Sequence, residues 1–500
     1  MRRRTVVFLL CLVAVLGGVA AAAHTMGRSA DAVAVTTTTQ EGDPAVLKGL
    51  TACQNLQYGK TLLWDLKIPL AEPEETAVVF SREGRSIPAY NENAYLAVTL
   101  ADPSQEGFYD EAGDSQENVE KAHPQMAPLL RQIASRTAPG QTYTETVDPA
   151  QYLSGYFVWV TDFLPNVLQE EGGQAVSLPS FSQEVEQTIQ DFFTFPFDQE
   201  DRWTVTVARN SEGLLTQMTV ETSVPAPVMD TLYAVGDQAV YFTFAPNQET
   251  AAGLPDFCQV PGGYGIYRLS YAQGADGRFH VAENGLQMVY ALDPQERVLN
   301  LALSRDESTL VLVSYREDQY VGTVLDTASM SLCQTVEIPG QSPWWEDTET
   351  GQATVPGQGE CHYDRTGCVE VGERCLLFFG QEDYAVFLRG ADGTYHYGWS
   401  APIPPAFQNM QSSNVRGAWN GEKLALAFAD LLEEEPGLVL MVYDDQGALL
   451  YHGAYTTTLN GLGLDWALVE ERSYGAGMAE DDNVSPVADP ALALTLTWNP

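Results

Sequence analysis

Three segments of this 500-residue chain align without a gap: LYAVGDQAVYFTF (232–244), CVEVGERCLLFFG (368–380) and GAWNGEKLALAFA (417–429). Each is a short strand-like run, a turn built on glycine and an acid, then a more apolar run. Hydrophobic strands joined by Gly-Asp, Gly-Glu or Asn-Gly are the local mark of an antiparallel hairpin. LALSRDESTLVLVS (301–314) is the same unit with a longer turn, and AYNENAYLAVTL (89–100) is a weaker copy. A recurring hairpin cannot bury its apolar surface alone, so the copies must pack against one another.

A second hairpin follows each first one. YRLSYAQGADGRFH (267–280) and YAVFLRGADGTYH (384–396) share GADG before an aromatic and a histidine. LVLMVYDDQGALLYH (438–452) ends in the same way, and GTVLDTASMSLCQTVEI (322–338) follows the 301 hairpin. RWTVTVARNSEGLLTQMTV (202–220) reads as a further copy near the front. Two successive hairpins make a four-stranded unit, which is the blade of a β-propeller. LNLALSRDESTLVLVS with GTVLDTASMSLCQTVEI resembles a WD40 or YVTN-type blade: a strand, an S-x-D turn, an apolar strand, then a hairpin opening on an aspartate. The resemblance covers one blade well and about four others loosely. It implies a fold and no activity, since propellers host many functions.

The expected fold class is therefore mainly β, a propeller of about six four-stranded blades within a range of five to seven. Its body spans 46–500. A segment over 101–200 interrupts it and reads as an α-containing insertion between the two hairpins of the first blade. In PSFSQEVEQTIQDFF, Ser180 with Gln183 forms a capping-box pattern, and Val185, Ile189, Phe192 and Phe193 recur at helical spacing. HPQMAPLLRQIASRT (123–137) is the second expected helix. The final run ALALTLTW (491–498) lacks a local partner, and pairing with KTLLWDLKI (60–68) would close the ring and remove two exposed edges.

Arg2, Arg3 and Arg4 precede an apolar run that ends in Ala21-Ala22-Ala23, the order of a secretory signal peptide. About 19 apolar residues also suffice for an uncleaved anchor, so residues 1–23 are a signal peptide or a membrane anchor. Residues 24–45, with a threonine run, read as a flexible linker. Both alternatives place the body outside the cytoplasm, with the membrane reached only through the N-terminal segment. The formal charge of −42 repels phosphate backbones, so nucleic acid is not an expected partner. The body is expected to be monomeric.

Motifs of chemistry are few. The chain holds no G-x-S-x-G, Walker loop, H-E-x-x-H or EF-hand loop, so neither a cofactor nor a metal is expected and no catalytic residue is assigned. SRDESTLV carries half of a sialidase Asp-box, and Asp306 is expected to accept turn amides. His280, His396 and His452 hold matching blade positions, which rotation carries to separate places. Trp344-Trp345, in the loop SPWWED, is the candidate ligand-binding pair, because adjacent aromatics stack on sugars or anchor a protein. The six cysteines beyond the leader permit 15 pairings. The local candidates join Cys361 to Cys368 or Cys375, with Cys258 reaching in from its own loop, and an anaerobic host would leave them reduced. Their six-residue gaps do not fit the usual zinc spacing.

These features point to a non-catalytic extracytoplasmic propeller that binds a cell-envelope protein or glycan. The alternatives are a secreted or anchored hydrolase of carbohydrate or peptide, and the sensor part of an envelope signalling system. The pattern resembles exported propeller-like proteins of Gram-positive bacteria, a likeness that implies no activity.

Overall fold

A computed structural model of the chain describes residues 35–58, 62–81, 96–101, 108–163, 169–171, 174–176, 179–222, 227–236, 238–246, 254–275, 279–304, 306–316, 319–339, 345–346, 353–354, 368–380, 383–403, 415–430, 437–457 and 494–499. The leader and residues 24–34 of the linker lie outside these residues, whereas its second half holds the strand Val35–Gly42. Among the described residues no helix is long and apolar enough to cross a membrane.

The blade that starts at Arg297 shows how sequence becomes architecture. Arg297–Leu303, Thr309–Arg316, Gln319–Asp326 and Ser331–Ile338 run as an antiparallel meander. Its first turn is held by Asp306, whose Oδ1 accepts from Ser304 Oγ (2.7 Å) and from Ser308 N–H (3.1 Å), as the half Asp-box suggests. Both middle strands are buried along almost their whole length, while the outer strand is mostly exposed. That pattern requires cover on both faces of the sheet. Neighbouring blades supply it, which is why TLVLVSY and YVGTVL are continuous apolar runs where a half-exposed strand would alternate.

Three more sheets repeat this order: 229–235, 239–246, 265–273 and 279–291; then 368–372, 375–379, 383–389 and 395–402; then 415–419, 423–430, 437–444 and 449–457. The last of these carries Val35–Gly42 as a fifth, outermost strand. A further sheet has the order 494–498, 50–58, 62–69, 77–81. The C-terminal strand therefore closes the ring against Leu50–Tyr58 and not against 60–68, which forms the next strand outward. In this register Leu494 and Leu496 are buried with Leu50 and Ala52.

Among the described residues the sixth sheet consists of Leu96–Ala101 paired with Phe157–Phe163. Its inner strand is stitched to the next blade by Thr231, whose Oγ1 meets Val98 N (3.0 Å) and Val98 O (3.2 Å). Inner strands 229–235, 297–303, 368–372, 415–419 and 494–498 then lie side by side in that order. Glu373 N–H donates to Gly417 O (2.9 Å), and Trp498 Nε1 donates to Ala418 O (3.0 Å). Among the described residues six inner strands are placed in this way, the arrangement of a β-propeller of about six blades.

The interruption differs from the expected one. It parts the two strands of the sixth sheet rather than two hairpins, and its strands 108–114 and 142–147 flank the later hairpin 203–222 in a separate sheet, in the order 108–114, 215–222, 203–209, 142–147. The hairpin at 202–220 thus belongs to no blade. Helices α1 (Gln116–Ala122) and α2 (Ala127–Ala134) cover one face, where Val119, Leu129, Leu130 and Ile133 meet Trp203, Val205, Val207 and Val220. The other face bears Thr144, Thr146, Thr204 and Thr206 in exposed hydroxyl pairs. Cover on one side alone explains the strict alternation of WTVTVAR.

Buried tyrosines set the alkaline limit of the fold. Burial pushes Tyr395 up to about 12, and it raises Tyr264, Tyr267, Tyr384 and Tyr455 as well. A folded-state value above the ordinary value of 10 means stability that is complete below pH 10 and lost as pH rises towards 12. In a pH titration, the steep rise in phenolate absorbance should coincide with loss of the β circular-dichroism signal. Phenolate formation by these residues with the β signal intact would contradict this.

Candidate functional site

Helix α3, Pro179–Phe192, packs on both Phe157–Phe163 and Phe279–Ala291. It begins at Pro179, so Ser180 lies within its first turn and not at the cap. Val185, Ile189 and the following Phe193 face the core at helical spacing. Gln183, Gln187 and Asp191, four residues apart, lie on the other side, with Gln187 Nε2 donating to Asp191 Oδ1 (2.8 Å).

The facing wall is the outer strand of the 229–291 blade, and it leaves its ladder at this point. Tyr271 pairs with Val281 and Leu269 with Leu286, so residues 282–285 stand outside the register. Asn284 adopts φ 53°, a conformation that asparagine tolerates. Gly285 sits so close to the carbonyls of Ala282 and Ser270 that a Cβ would lie 2.6 and 2.7 Å from them. Bulges of this kind re-aim side chains and recur beside binding sites. Glu184 pins the bulge to the helix: its Oε2 accepts from Val281 N–H (3.1 Å) and its Oε1 lies 3.0 Å from His280 Nδ1.

Between the two walls is a groove of about 900 Å³, lined by Gln183, Glu184, Gln187, Thr188, Asp191 and Phe192 from the helix and by residues 281–286, except Glu283, from the strand. The lining combines amides that donate and accept, carboxylates that accept, and one aromatic side chain. The groove is largely open to solvent.

A second concentration of carboxylates is structural. Buried Asp201 accepts from Tyr156 Oη (2.6 Å) and Asp198 N–H (2.9 Å), which ties the loop after α3 to the sixth sheet. Burial raises Asp198 above the usual carboxylate range, helped by Asp201, Asp256 and Glu200. Among the described residues no three His, Cys, Asp or Glu side chains are grouped to hold a metal ion.

The candidate ligand-binding and disulfide residues that the structure describes do not line the groove. Trp344 lies outside the described residues; Trp345 begins the two-residue strand Trp345–Glu346, paired with Ala353–Thr354. Cys361 also lies outside them. Cys368 opposes Phe379 and Cys375 opposes Gly372. Among the described residues the thiols of Cys258 and Cys375 are free. Cys375 is fully buried against Gly372 and Gly417, and burial pushes its thiol well up, so it packs as an inert apolar group. His396 lies 3.3 Å from Asp392 within its own hairpin, His452 pairs with Met441, and His280 faces the groove helix.

The groove residues escaped the sequence reading. The available signals were the polar i, i+4 series 183, 187, 191 and the dipeptide Asn284-Gly285, a turn signal inside a strand.

No protein-family model matches the chain, and no curated protein matches it. Solved structures with some likeness include a candidate 6-phosphogluconolactonase from Bacteroides fragilis NCTC 9343, at 10% identity over 81% of this chain and 94% of that one, with a TM-score of 0.28. The β-propeller domain of the Trilobed protease from Pyrococcus furiosus shares 10% identity over 44% of this chain and 56% of its own, with a TM-score of 0.20. The periplasmic gluconolactonase PpgL of Pseudomonas aeruginosa shares 10% over 50% and 77%, with a TM-score of 0.19. Likeness at this level adds nothing to what strand order and pairing establish.

Proposed function

We propose that this chain is a non-catalytic extracytoplasmic propeller that binds a glycan of the cell envelope, with its ligand seat in the groove between α3 and the bulged strand. The groove carries the reading: amides, carboxylates, a hydroxyl and an aromatic ring line one cleft of about 900 Å³, a lining suited to saccharide hydroxyls. The Arg-led apolar leader supports the location. Trp344 and Trp345 are proposed as a second contact on their loop.

The test is binding of the full-length chain to a glycan array and to isolated cell envelopes. It is compared with Ala282→Trp, which fills the groove, and with the double variant Trp344→Ala/Trp345→Ala. The groove variant should lose at least about tenfold in affinity, a loss of 1.4 kcal/mol, and the double variant should lose less. Unchanged binding by the groove variant would overturn the assigned seat. Capture of an envelope protein without any glycan would overturn the ligand class, and release of new reducing ends from a bound glycan would replace binding with hydrolysis.

A further inference from the structure

We infer that the groove discriminates by charge: it accepts saccharides free of acid groups, favours rings that bear a free amine, and rejects phosphate- or uronate-bearing ones. The inference rests on the glycan reading above and adds the class of sugar.

The argument starts from what lines the cleft. Glu184 and Asp191 line it, and exposed Glu283 stands on the bulge beside it. No lysine or arginine is among the lining residues. The Asp191 carboxylate is held by the neutral amide of Gln187, so its charge stays uncompensated by that partner. Glu184 meets the His280 ring and the Val281 amide at the rim between helix and strand. An entering phosphate or carboxylate would meet like charges and find no lysine or arginine among the described lining residues to replace its hydration. A hydroxyl or an ammonium finds acceptors at once. Such repulsion is how sites exclude close relatives of a ligand.

The net charge of −42 attracts amines to the whole surface, so the test must separate groove from field. The probes are chitosan oligosaccharides, their N-acetylated chitin counterparts, oligogalacturonates and a glycerol-phosphate polymer, each titrated into the full-length chain at low and at physiological salt. Expected is binding of the first two, with the chitosan series tighter and both anionic probes weaker by about tenfold or more. Ala282→Trp should abolish the preference, and Asp191→Asn should narrow it several-fold. The exposed-residue variant Gln187→Ala/Asp191→Ala serves if the tryptophan disturbs folding. Equal binding of the anionic probes through the groove would overturn the selectivity and leave the glycan reading standing. A chitosan preference that survives Ala282→Trp would assign it to the general field and overturn it. Absence of binding by every saccharide would overturn both readings.

Discussion

A chain ended at residue 493 is expected to lose cooperative folding and most of its soluble yield. The missing strand contributes the innermost position of the blade formed with 50–58, 62–69 and 77–81, where its ladder to Leu50–Tyr58 runs from Leu494↔Gln54 to Trp498↔Leu50. It also buries Leu494 and Leu496. Burying each leucine is worth about 1.5–3 kcal/mol, so the two together account for about 3–6 kcal/mol. Polar ties add to this: Trp498 Nε1 to Ala418 O (3.0 Å), Asn499 N to Gly49 O (2.7 Å) and Asn499 Nδ2 to Thr51 Oγ1 (2.7 Å). Domains of ordinary stability hold about 5–15 kcal/mol in all. Removal would also expose the edge of Leu50–Tyr58, which invites strand pairing between molecules. Leu496→Ala gives the graded version, with a loss of about 2–5 kcal/mol in urea unfolding and an unchanged slope. A truncated chain that unfolds at the same urea concentration as the intact one would show that the ring does not depend on this closure.

How far such relations can be read beforehand depends on how many sides of an element the fold covers. Blade strands are covered twice, and TLVLVSY or KLALAFAD announces this by unbroken apolarity between turn residues. The hairpin at 203–222 has the same length and the same kind of turn, yet WTVTVAR alternates strictly because α1 and α2 cover one face only. Attention to periodicity, more than to hairpin spacing, separates it from the blades. The closing strand was recognisable as unpaired, but its partner was decided by which edge the N-terminal chain leaves open. That depends on Val35–Gly42 being spent on the opposite side of the seam.

The groove is harder to read than either. Half of it is the polar side of a helix whose apolar side was evident from Val185, Ile189 and Phe193. The other half is backbone, released from a ladder at Ala282 and re-entering at Leu286. Nothing in the sequence says that these two stretches, about a hundred residues apart, face each other. The bond of Glu184 to Val281 N–H creates that relation, and only tertiary packing brings it about.

Phe193→Ala is expected to be among the most damaging single changes outside the seam. The ring is 2% exposed and lies 4.8 Å from Tyr267, 5.3 Å from Phe244, 5.7 Å from Phe195 and 6.0 Å from Phe242, centroid to centroid. Truncating such a phenylalanine costs about 3–5 kcal/mol, because neighbours held in place by other rings cannot collapse into the space. Here the neighbours are themselves held. Tyr267 Oη donates to Gly263 O (2.5 Å), and Phe195 backs onto Gly155, where an added Cβ would lie 2.1 Å from the Phe195 carbonyl oxygen. The cavity should therefore persist. It lies at the end of α3, so the loss should reach the groove: amides of 183–192 should exchange hydrogen faster, and the helix wall with Gln187 and Asp191 should drift from the bulge. Urea unfolding and hydrogen exchange together decide the matter. A fall in midpoint with faster exchange confined to α3 and the strands beneath it would bear out the coupling. An equal fall with uniform exchange would assign Phe193 to the core alone, leaving the position of the groove helix to the Glu184 clamp.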